Sequence, residues 1–136
     1  MSKRQFTSRR LCVLISAAVI TLAACSSPAR TATNFCRQLQ LELPEIAQPT
    51  ATPAEVSALV SSYERLGKVA PLAIEEDWQA LTNLVKAAAE VDAADPASVQ
   101  AVADLSYATQ KNATAASNWV NETCGVDIST GISTTP

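Results

Sequence analysis

Apolar residues fall into one dense block and four periodic groups along the chain. The dense block, Leu11–Leu22, follows a basic start of Lys3, Arg4, Arg9 and Arg10. The periodic groups begin at Phe35. Phe35, Leu39, Leu43 and Ile46 recur at helical spacing, with Thr33 or Asn34 as the cap. Pro44 removes a backbone donor, so this first helix is predicted to end or kink near Leu43. Gln48–Ala51 reads as a loop. Thr52-Pro53-Ala54-Glu55 then carries a capping threonine, a proline at the first helical position and a glutamate at the third, the signature of a capping box. Val56, Leu59, Val60, Tyr63 and Leu66 give this second helix one apolar face. Gly67 and Pro71 bracket its end, with the boundary at Ala70.

A third helix is predicted over 71–91, with Ile74, Trp78, Leu81, Val85 and Ala88 as its stripe. Its acidic run Glu75-Glu76-Asp77 lies where the helix dipole favours negative charge. Asp92–Pro96 is the next turn. Asp95 caps a fourth helix, Pro96 opens it, and Gly125 ends it in a left-handed conformation. Val99, Val102, Leu105, Ala108, Ala116, Trp119 and Val120 are its expected apolar contacts. Its middle, from Thr109 to Ser117, is rich in Ala, Thr, Asn and Ser, which suits close helix approach or an irregular helix. Ser129–Pro136 is Ser/Thr-rich and reads as a flexible tail. No internal repeat is present.

The dense block changes the picture of where the protein resides. It covers about 14 residues to Ala24, short of the roughly 20 a spanning helix needs. A basic start, an apolar stretch and a small-residue end make a secretory signal peptide. The end itself, Leu22-Ala23-Ala24-Cys25, resembles the lipobox of bacterial lipoproteins. That resemblance covers residues 1–25. It implies a diacylglyceryl group on the Cys25 sulfur, cleavage just before Cys25, and a protein held by lipid on the extracytoplasmic face of the cell membrane. Ser8-Arg9-Arg10 also loosely resembles a twin-arginine export signal, so the export route stays open. The division that follows is a signal peptide over 1–24, a lipidated tether over 25–33, a helical domain over 34–126 and a tail over 127–136. The tether would keep the domain within roughly 25 Å of the bilayer.

Charge bears on partners. Four of the ten basic residues and none of the thirteen acidic ones precede Cys25. The remaining six basic and thirteen acidic residues leave a net charge of −7. Such a chain is repelled by phosphate backbones, which excludes nucleic acid as a partner. It is also repelled by anionic headgroups, so the anchor supplies membrane affinity. The expected partners are the membrane, through Cys25, and a protein or another envelope component.

Cys12 leaves with the signal and Cys25 takes lipid. Cys36 and Cys124 remain as a pair in an oxidising compartment and are predicted to form a disulfide, two free thiols being the alternative. The bond tests the architecture. Cys36 opens the first helix and Cys124 closes the last. In an up-down bundle the two ends meet only if the number of helices is even. The expected fold is therefore all-α, a small antiparallel up-down four-helix bundle closed by one disulfide.

Candidate chemistry is sparse. The chain contains no histidine, the commonest general base and metal ligand. No phosphate-cradling glycine loop, calcium loop or serine–lysine pair is present. No cofactor, metal or catalytic residue is expected. Glu75, Glu76 and Asp77 diverge on a helix, so dipole pairing is favoured over a metal site. Asp92 and Asp95 read as caps before they read as an acid/base pair. Trp78 and Trp119 lie on apolar stripes, which favours core packing, with a ligand or partner groove as the alternative. Tyr63 and Tyr107 read as core in the same way. Asn112 and Asn121 match a glycosylation acceptor pattern, treated as chance.

Asn34-Phe35-Cys36, Ala70-Pro71 before Asp77-Trp78, and Asn121-Glu122-Thr123-Cys124-Gly125 resemble the small Ala/Thr-rich lipoproteins and secreted proteins of high-GC Gram-positive bacteria. That resemblance brings no active site. The expectation is a lipid-anchored envelope protein acting as a non-enzymatic interaction module. A carrier of a small apolar ligand held between the helices, lined by Trp78, Leu81 and Trp119, is the first alternative and an enzyme the second.

Overall fold

The computed structural model describes residues 27–129. The expected signal peptide, Cys25 and most of the expected tail lie outside them. Four helices follow one another: α1 (Ala32–Ile46), α2 (Pro53–Val69), α3 (Glu75–Ala89) and α4 (Pro96–Cys124). A 3-10 turn, Leu72–Ile74, sits between α2 and α3. They form an up-down four-helix bundle in which α2 packs on both α1 and α3, and α3 on α4.

The local rules act where side chains reach no more than four residues along the chain. Thr52 accepts from the Glu55 amide, and the Glu55 carboxylate accepts from the amides of Thr52 and Ala51 at 2.8 Å each. Asp95 accepts from the Ala97 amide at 2.9 Å, ahead of Pro96. Gly125 caps α4 at φ 67°, a conformation only glycine adopts cheaply. The Ala/Thr-rich middle of α4 is continuous helix.

Other boundaries differ from expectation. Thr31, not Thr33 or Asn34, caps α1, and Asn34 instead donates its amide to Thr31 Oγ1 at 3.2 Å. Pro44 lies within the last turn of α1 without ending it. The carbonyl it leaves without a donor belongs to Gln40, and both residues are exposed, so water can take that bond. The Ala47 amide then closes the helix onto Leu43 at 2.9 Å. Gly67 continues α2, and a Cβ there would stand 3.7 Å from Trp78 Cδ1. α3 starts later than predicted, because Pro71 opens the 3-10 turn first.

Trp78 is the centre of the core. Its ring stacks on Tyr63 with centroids 5.4 Å apart and meets Phe35 edge-on at 5.0 Å. Its Nε1 donates to the Tyr63 carbonyl at 3.1 Å, which satisfies the one polar atom of the indole. Leu39, Leu66, Val69, Ala70, Ile74, Leu81, Ala116, Val120 and Ile128 complete the buried apolar set around it among the described residues. Tyr107, expected in the core, is 78% exposed. It lies two residues from buried Thr109, about 200° around the helix, on the opposite face. Val99 and Ala108 are likewise exposed. α4 has 29 residues against 15 in α3, about 43 Å against about 22 Å, so it outruns α3, the helix on which it packs most.

The domain is longer at both ends than 34–126. Ile128 is buried and Val126 packs on the core, so the chain folds back beyond Gly125. At the other end Arg30, placed in the tether, donates through Nε to the Ala70 carbonyl at 2.7 Å and pairs with Glu75 at 2.8 Å.

Cys36 and Cys124 are bonded, with Cα atoms 5.3 Å apart at a sequence separation of 88. The bond joins the first turns of α1 to the last turn of α4, as an even number of helices requires. α1 packs far less on α4 than on α2, so the bond closes the weaker seam. Reduction, or the paired change Cys36→Ala and Cys124→Ala, is expected to lower unfolding free energy by about 2–4 kcal/mol. Denaturant melts of oxidised and reduced protein measure it, and coincident midpoints would contradict this role for the bond.

Candidate functional site

Glu42 is the one buried carboxylate among the described residues. It lies on the core-facing stripe of α1, at spacings of three and seven from Leu39 and Phe35. Arg65 of α2 meets it with two bonds, Nε to Oε1 and Nη2 to Oε2, each 2.6 Å. Gln38 Nε2 donates to Oε1 at 2.6 Å, and Ser62 Oγ accepts from the same guanidinium at 3.0 Å. The Arg65 bonds hold the Glu42 carboxyl down at about 2, against an opposing push from burial. An acid so tightly ionised is a poor proton donor near neutrality. Its arrangement joins α1 to α2.

The acidic turn of α3 spreads as its helical positions require. Glu75 faces Arg30, and Asp77 accepts from Asn112 Nδ2 of α4 at 2.8 Å. Glu76 is exposed. Asp95 is the cap of α4, whereas Asp92 caps no helix: its carboxylate accepts from the Ala94 amide at 2.9 Å within the turn, and its own amide donates to Ser98 Oγ. Among the described residues no group of three His, Cys, Asp or Glu side chains could hold a metal ion.

Trp78 and Trp119 are not partners across a groove. Trp78 is 1% exposed, and Phe35 meets both indoles edge-on, Trp119 at 5.6 Å. Tyr63 is buried beside Trp78, and burial pushes its hydroxyl's pKa up. Of the three residues expected to line a ligand cavity, only Leu81 borders a depression. This one is about 340 Å³, open to solvent, and also lined by Gln110, Ala113, Thr114, Ser117 and Ile128. Asn112, which matched the acceptor pattern, spends its amide on Asp77.

The pairings that sequence reading missed are Glu42–Arg65, Arg30–Glu75 and Asn112–Asp77. The signal for the first was present: a carboxylate on an apolar stripe needs a cation or hydrogen-bond donors within reach.

The pH dependence follows from the sign of the shift. A carboxyl depressed by folding adds stability above its unfolded value near 4.5, and this is lost as pH falls towards about 2. Glu42→Gln is expected to cost about 1–3 kcal/mol at pH 7. The gap between wild type and variant should close between pH 4.5 and 2, as urea melts across that range would measure. A gap that stays constant with pH would contradict the ionised clamp.

Comparison with protein-family models, with curated proteins and with solved structures finds no match for this chain.

Proposed function

We propose that this protein is a lipid-anchored component of the cell envelope, held on the extracytoplasmic face through Cys25, and that its helical domain binds a protein or another envelope component without catalysing a reaction. The anchor half of the reading rests on the lipobox-like Leu22–Cys25 behind a basic and apolar leader. The Cys36–Cys124 bond supports it, since disulfides persist in oxidising compartments. Cys25→Ala is expected to abolish both lipid attachment and cleavage at that point. Detergent-phase partitioning and the mass of the mature amino terminus measure this. A variant that still partitions like wild type after leader removal would contradict the anchor.

The binding half rests on where the large apolar side chains go. Those that could have lined a cleft are committed to the core, whereas Leu41, Leu72 and Tyr107 are 70%, 80% and 78% exposed. Contact chemistry is thus offered on outer surfaces, where a macromolecule can reach it. The buried acid is neutralised by Arg65, which supports binding over catalysis. Photocrosslinking groups placed at Leu41 and Tyr107 in intact cells are expected to capture a discrete protein adduct. Recovery of only lipid or a small molecule would favour the carrier reading, for which the depression beside Leu81 is the supporting observation.

A further inference from the structure

The first residues of the domain are latched to the turn between α2 and α3. Arg30 bonds to the Ala70 carbonyl at 2.7 Å on one side of that turn and to Glu75 at 2.8 Å on the other. The chain just before it is tied as well. The Ala29 carbonyl accepts from the Thr31 amide at 3.0 Å and from Asn34 Nδ2 at 2.8 Å. Between these two attachments the turn runs Pro71-Leu72-Ala73-Ile74. Ile74 is buried in the core, whereas Leu72 is 80% exposed, the most exposed of the large apolar residues among those described.

Cys25 precedes Ala29 by four residues, a span of at most about 14 Å when fully extended. A diacylglyceryl group on Cys25 fixes that residue at the bilayer surface. The latch therefore brings one end of the bundle to the surface, and the part of that end beside the latch is an exposed leucine on a tight turn. We infer that the α2–α3 turn seats in the outer lipid interface, with Leu72 inserted among the headgroups and Arg30 fixing the orientation. This inference rests on lipidation at Cys25. The partner it fits is a zwitterionic lipid surface. Glu75 is neutralised by Arg30, but Glu76 and Asp77 follow it and would be repelled by anionic headgroups. One leucine adds little to two acyl chains in affinity. Its effect is orientational. The loops over 47–52 and 90–95, at the other end of the bundle, then point away from the membrane.

The test uses the full lipidated protein in phosphatidylcholine vesicles. With Cys25 in a thioether and Cys36 bonded to Cys124, a Leu72→Cys variant of the mature chain offers a single thiol for an environment-sensitive nitrobenzoxadiazole label. Ala94→Cys, in the α3–α4 loop, is the comparison site. The expected result is a blue-shifted emission at position 72 with iodide quenching about threefold weaker than at position 94. Adding Arg30→Ala should return much of that quenching. An amino-terminal peptide whose mass lacks the diacylglyceryl group would overturn the anchor, and the inference with it. A lipidated, vesicle-bound protein whose label at 72 is quenched as strongly as at 94 would overturn the inference and leave the anchor standing. Protection at 72 that persists without vesicles would also overturn it, since protein and not lipid would then cover the turn.

Discussion

Trp78 ties the four helices to one another. Its indole lies flat on Tyr63 of α2 and edge-on to Phe35 of α1, and Phe35 in turn meets Trp119 of α4. An indole buried this deeply would cost about 1–3 kcal/mol if its N–H found no partner. The Tyr63 carbonyl, which lies inside a helix, serves instead. Gly67 of α2 lies beside the ring, and a Cβ there would meet Trp78 Cδ1 at 3.7 Å, an ordinary contact distance. A small core with many alanines has few such large groups, so the position of one ring decides the spacing of three helices.

α1 depends on that ring and on two further ties. The first is covalent, from Cys36 to Cys124. The second is the Arg65 fork on Glu42, which turns a carboxylate in the α1–α2 seam from a liability into a specific link. The two partners are not equivalent: losing Arg65 would leave the Glu42 carboxylate buried without its counter-charge, whereas losing Glu42 would leave a half-exposed guanidinium in water. Together the three ties set the tilt of a helix that packs broadly only on α2.

Much of the fold was legible because its signals are local. The Thr52–Glu55 box, Asp95 before Pro96, and Gly125 after Cys124 each act within a few residues and need no knowledge of the tertiary structure. The parity of helices joined by Cys36 and Cys124 was legible for a topological reason. What was not legible depends on rotation between helices. Arg30 reaches across 40 residues to Ala70, and Asn112 across 35 to Asp77. Tyr107 looked like core because apolar residues flank it, yet buried Thr109 shows which way α4 faces. Ile128 was hidden by its polar neighbours. The candidate site was legible mainly as an alternative to packing, and packing claimed Trp78 through Phe35 and Tyr63.

The disulfide also determines how the protein carries a mechanical load. Tension applied to the chain on either side of the bundle passes through the first turn of α1 to Cys36, crosses the sulfur bridge to Cys124 and leaves past Gly125. The loop closed by the bridge, which holds most of α1, all of α2 and α3 and nearly all of α4, is bypassed. While the bridge is intact, such a pull can peel away the chain on either side of it, but cannot draw the bundle out.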